Sequence, residues 1–199
     1  NPRTVGGDIK ALLSQVEVVI PESGFVYFID EHKTIALPGN VFNNMTVDYE
    51  KLLVQGFNER LAELTGDDEY VRQIRLVGEG LENLVGRIVE GLRSSNHPEK
   101  EKRIEEFQNM LVRPAQGFEE ALQRTMFFNQ IMWQTRHRLN GLGRLDMMLG
   151  DLYETDVRSG VITDSDAHKI VFDFLKQNAT QLPWHYLAYA AFIMAAFSA

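Results

Sequence analysis

The spacing of apolar positions changes from helical to alternating and back to helical along the chain. In the stretch from Asp8 to Val19, Ile9, Leu12 and Leu13 share one helical face. Val16, Val18, Val19 and Ile20 then form a β-branched run that stops at Pro21. Phe25 to Ile29 is aromatic and β-branched, Asp30-Glu31-His32-Lys33 is polar, and Thr34 to Leu37 is apolar again. Two such runs around a short polar turn predict a β-hairpin, ended by Pro38-Gly39-Asn40.

From Thr46 the helical period returns, with Thr46 as the expected cap and Asp48 and Glu50 in a first turn that favours negative charge. Tyr49, Leu52, Leu53, Phe57, Leu61 and Leu64 form one apolar stripe, broken at Thr65-Gly66-Asp67-Asp68. A longer helix carries Val71, Ile74, Leu81, Leu84, Val85, Ile88 and Leu92 on one face. It also holds Gly78, Gly80, Gly86 and Gly91, which predict either close backbone packing or a break near Gly78. Ser94 to Pro98 marks a boundary, and Glu99 to Met110 reads as a charged surface helix. Phe118 to Trp133 is apolar nearly all round, as a central buried helix is. Leu145, Met148, Leu149, Leu152 and Tyr153 mark the next helix, with Gly160 closing it. Thr163 and Asp166 open the one after as a capping box, followed by Ile170, Val171, Phe174 and Leu175.

The expected class is therefore mainly α: a helical bundle or shell with one short N-terminal β-hairpin. The chain divides into a hairpin-containing segment over 1–45, a helical pair over 46–95, a helical segment over 98–178 and an apolar helix over 179–199, all within one domain. Small residues alternate with large apolar ones from Trp184 to Ala199. That run is too short for the ~20 residues of a membrane span and is expected to mediate self-association or to be covered by more chain.

The formal net charge is −8, which argues against non-specific binding to nucleic acid or to an anionic membrane. There is no cysteine, which removes disulfides, thiolate nucleophiles and thiolate metal ligands. The start at Asn1-Pro2-Arg3-Thr4 has no apolar signal-peptide core and no Met, so the expectation is a cytoplasmic protein whose first residues precede this segment. The histidines, His32, His97, His137, His168 and His185, show no metal-ligand spacing, so no metal site is expected. Arg136-His137-Arg138 complements a helix C-terminus. Asp151, Glu154 and Asp156 are acidic residues on one helix and read as a solvated face. No glycine-rich phosphate loop follows a strand, and no cofactor is implied.

Three stretches carry a family resemblance. Asp48-Tyr49-Glu50-Lys51-Leu52-Leu53-Val54-Gln55-Gly56 is similar to a helix start in the glycyl radical enzymes, the family of pyruvate formate-lyase. Phe118-Glu119-Glu120-Ala121-Leu122-Gln123 and the aromatic run to Trp133 resemble a second helix of that family. The most specific stretch is Gly143-Arg144-Leu145-Asp146, then Leu152-Tyr153, Asp156 and Gly160-Val161-Ile162-Thr163, continuing to Phe172–Lys176. Compatible spacing runs from about Asp48 to Lys176, within the N-terminal helical region of the family.

The resemblance implies a helical shell around a larger α/β-barrel. In that family a glycyl radical takes hydrogen from a cysteine, and the resulting thiyl radical attacks a small substrate in an anaerobic lyase or acyltransferase reaction. The radical-glycine motif and the thiyl cysteine lie in later parts of such chains. Neither occurs here, so no catalytic residue is assigned, and the chain by itself is expected to be inactive. The partner implied is the remainder of a glycyl radical enzyme chain. Asn44 and Asp48 match positions that line the pocket in some members, although Asn44 stands where a basic residue or His is usual. Arg144 and Asp146 are candidates for a salt bridge near the pocket, or for an ordinary helix-start pair. Met147-Met148 replaces the family's Gln-Tyr. The alternative reading is a free-standing degenerate relative that serves as a binding or oligomerisation module.

Overall fold

A computed structural model describes residues 5–26, 46–134 and 141–180. Eight helices account for most of them: α1 (Val5–Gln15), α2 (Tyr49–Val54), α3 (Phe57–Ala62), α4 (Glu69–Ser94), α5 (Lys100–Met110), α6 (Phe118–Gln134), α7 (Leu145–Arg158) and α8 (Asp164–Thr180). No strand occurs among the described residues, and the fold is mainly α. The expected hairpin lies outside them except for Phe25 and Val26, as does the apolar helix from Trp184 to Ala199.

Two hydrophobic cores share one wall. The first gathers Leu12, Leu13 and Val16 from α1 and its end, the inner face of α4 from Leu81 to Leu92, and Phe107 and Met110 of α5. The second gathers Leu145 and Leu149 of α7 with Ala167, Phe174 and Leu175 of α8. Helix α6 serves both: Phe127, Phe128 and Ile131 enter the first core, and Phe118, Ala121, Leu122 and Met126 the second. Helix α6 is therefore buried on nearly all sides but is not apolar all round as expected: Glu120, Gln123, Arg124, Thr125, Asn129 and Gln130 are buried with the rest.

Helix α4 runs unbroken through Gly78, so Gly78, Gly80 and Gly91 mark close packing and not a break, while Gly86 faces open space. Helix α1 lies along it and carries no basic residue in its own last turn. Arg87 of α4 supplies that charge, donating to the carbonyls of Leu13 at 3.2 Å, Ser14 at 2.7 Å and Val16.

The apolar stripe from Tyr49 to Leu64 occupies two short helices and not one. Gly56 separates them because the loop after α5 passes too close for a side chain: a Cβ there would lie 2.6 Å from the Val112 carbonyl carbon. Backbone bonds from Asn58 to Leu111 and from Ala115 to Leu53, both 2.8 Å, fasten the pair to that loop. The cap of α2 also differs from expectation. Asp48, not Thr46, precedes the first helical residue, and its carboxylate accepts the Lys51 N–H. Helix α5 is amphipathic and not purely a surface element: Arg103, Glu106, Phe107 and Met110 are buried.

At the other end, α7 closes as expected, with Gly160 just past its end at φ 74°. Thr163 and Asp166 form the reciprocal cap of α8: the Thr163 hydroxyl accepts the Asp166 N–H at 3.1 Å, and the Asp166 carboxylate accepts the Thr163 N–H at 3.2 Å.

Candidate functional site

Three of the four residues singled out by resemblance, Asp48, Arg144 and Asp146, lie among the described residues, at helix starts whose loops adjoin where Thr46 meets Gly141 and Gly143. Asn44 lies outside the described residues. Asp48 is exposed and salt-bridged to Lys51 at 2.9 Å; that hydrogen bond holds its carboxyl below the usual range. Arg144 and Asp146 pair with each other through two hydrogen bonds, 2.9 and 2.6 Å long. The Arg144 hydrogen bond lowers the Asp146 pKa, and Asp146 raises that of Arg144 in return. Their side chains are 71% and 45% exposed, so the pair sits at a solvated helix start.

The acidic residues of α7 do not behave alike. Asp151 is exposed and Glu154 pairs with Arg158 at 3.2 Å, as on a solvated face. Asp156 turns inward and accepts the Phe118 N–H at 2.8 Å, capping the start of α6 from a different helix.

Among the described residues, much of the buried polar chemistry belongs to α6. Arg124 is fully buried. It donates to the carbonyls of Leu52 at 3.1 Å and Arg113 at 2.8 Å, and to Glu120 at 3.0 Å. Glu120 also accepts from Arg113 at 3.0 and 3.1 Å and from the Gln116 N–H at 3.2 Å. Burial pulls the Arg124 pKa below its ordinary value; Glu120 opposes that shift and Arg113 adds to it.

A second cluster centres on Arg103, which pairs with Glu106 at 2.8 Å, Glu99 at 3.2 Å and Glu119. Burial opposes its charge, but Glu106 and Glu119 outweigh burial and hold its pKa up. Burial pushes the Glu106 carboxyl up against the pull of Arg103. The Arg103 guanidinium also lies 5.0 Å from the centre of the Phe25 ring.

A third set links Tyr49, Asn129 and Trp133. The Asn129 amide donates to the Tyr49 hydroxyl at 3.0 Å and accepts the Trp133 indole N–H at 3.1 Å. Burial pushes the Tyr49 phenol up to about 12, so it stays neutral.

These arrangements orient and hold; they contain no activated nucleophile. The buried guanidiniums spend donors on backbone carbonyls and on carboxylates, which is scaffold work. Among the described residues no three His, Asp or Glu side chains are grouped to hold a metal ion, and no helix is long and apolar enough to cross a membrane. Periodicity passed over this buried polar set because it counts apolar positions. The available signal was Glu120 and Arg124, an i, i+4 pair of opposite charge inside a helix expected to be buried, since charges there must be paired.

The pyruvate formate lyase-like family matches residues 36–183, well over half of the chain. The chain belongs to that family. Among solved structures, it is similar to a protein from work on 1,2-propanediol dehydration in Roseburia inulinivorans and the basis of its substrate and enantiomer selectivity. The TM-score is 0.57 at 22% identity, covering 70% of this chain. That likeness is one of fold, and the chain spans only 21% of the length of that protein. No curated protein matches.

Proposed function

We propose that this chain is the N-terminal helical portion of a glycyl radical lyase or acyltransferase that acts on a small substrate without oxygen. Its part is to build the wall around a catalytic barrel, not to supply the reacting groups. The observation that carries this reading is a pyruvate formate lyase-like match over residues 36–183 in a chain without cysteine. Thiyl chemistry needs a sulfur, and the radical glycine motif is also missing, so residues 1–199 alone are inactive in this reading. The buried polar groups support it. Arg103, Arg124, Gln123 and Asp156 are committed to backbone and carboxylate partners, as a rigid wall requires.

The test is the intact mass of the native gene product with mapping of its C-terminal peptides. A species several times heavier, carrying a cysteine peptide and a radical-glycine peptide beyond Ala199, is expected. A native species ending at Ala199 overturns the enzyme reading and leaves a non-catalytic relative.

A further inference from the structure

Three consecutive residues, Gly24 to Val26, have backbone groups taken by side chains instead of by a neighbouring strand. The Gly24 carbonyl meets Nε2 of His97 at 3.1 Å, and Nδ1 of that ring accepts the Glu99 N–H at 3.1 Å, which makes Nε2 the donor to Gly24. The amide of Gln177 in α8 makes two bonds to Phe25, accepting its N–H at 3.0 Å and donating to its carbonyl at 3.1 Å. The amide of Gln123 in α6 does the same for Val26, both at 2.8 Å. Successive side chains of an extended segment point to opposite sides. Phe25 accordingly enters the core of α7 and α8, where it meets Phe174 edge-on at 5.9 Å, and Val26 enters the core of α1 and α4.

Among the described residues, α8 is also held by Ile170 and Val171, packed against the second core, and by the hydrogen bond from the Tyr153 hydroxyl to Asp164. Its described buried side chains are Ala167, Phe174 and Leu175, while Phe172, Asp173 and Lys176 face solvent. A segment that crosses between two cores and grips a helix is mechanically a strap. We propose that Gly24–Val26 is such a strap, tying the docking of α8 to the docking of the N-terminal segment so that neither opens alone. This inference is independent of the reaction proposed above.

The test is hydrogen–deuterium exchange read over α4 and α8 in the native gene product, comparing wild type with Gln177→Leu, Phe25→Leu and the double variant, and with Ile88→Val as a control in the other core. Gln177→Leu and Phe25→Leu should each raise exchange over α8 on the order of tenfold, with α4 unchanged within about twofold. The double variant should exchange no faster in α8 than the faster single one, because a strap is released once. Ile88→Val should leave α8 unaffected. The strap is overturned if α8 exchange does not change in Gln177→Leu, if α4 rises by the same factor as α8, or if the two single effects multiply. Should Phe25→Leu not fold, the α8 and α4 criteria applied to Gln177→Leu decide alone.

Discussion

The carboxylate of Asp156, in the last turn of α7, accepts the backbone N–H of Phe118, the first residue of α6, at 2.8 Å. A helix start ordinarily finds its cap in the residue just before it; here Gly117 stands there, and the cap arrives from a helix later in the chain. Asp156→Ala is expected to lower stability by about 1–2 kcal/mol. Asp156→Asn, which keeps an acceptor oxygen, should lose less. Urea unfolding midpoints of the three chains check this, and equal losses in the two variants would count against the capping role.

Glu120 balances two arginines, one of them fully buried. Glu120→Gln removes its negative charge while leaving Arg124 inside the protein. The expected cost is about 3–5 kcal/mol, as for other buried pairs that lose one partner. The same denaturation series reads it. A loss no larger than that of an exposed ion pair would show that Arg124 is satisfied by the Leu52 and Arg113 carbonyls alone.

Tyr49 makes stability depend on pH at the alkaline end. Its phenol moves from an ordinary value of 10.0 to about 12 through burial. Between those values the unfolded chain releases a proton that the folded chain keeps, so stability falls as pH rises through this window and is unaffected below it. By pH 12 the loss from this group is on the order of 3 kcal/mol. Unfolding midpoints of wild type and Tyr49→Phe from neutral pH upward should diverge in slope only above pH ~10. Parallel curves would place the phenol in water.

Two glycines of α4 should respond in opposite directions. A Cβ on Gly80 would lie 3.0 Å from the Lys10 Cα and 3.2 Å from Leu13, where α1 crosses. Gly80→Ala is therefore expected to cost about 1–3 kcal/mol. Gly86 has nothing within 4 Å of the same position, so Gly86→Ala should gain roughly 0.5–1 kcal/mol from helix propensity. Thermal midpoints moving the same way in both would contradict the packing of α1 on α4.

By itself, the sequence determined the helical class, the extents of α4, α6, α7 and α8 to within a few residues, and the closing devices at Gly160 and Thr163–Asp166. These follow from local spacing: the 3.6-residue period, the left-handed glycine and the short reach of a cap are all set within one or two turns. The resemblance carried by Gly143–Asp146 and the residues after it was legible for the same reason. Only the tertiary structure decided that Asp156 caps α6 while Asp151 faces water, that Gly80 is filled against α1 while Gly86 is open, and that the Tyr49–Leu64 stripe breaks at Gly56. It alone brought Gln123 and Gln177 to the backbone of Phe25 and Val26. Those outcomes depend on partners 38 to 152 residues away in the chain, such as Phe118 for Asp156 and Gln177 for Phe25. A residue's own type and immediate neighbours hold no record of which distant polar group burial will force it to satisfy.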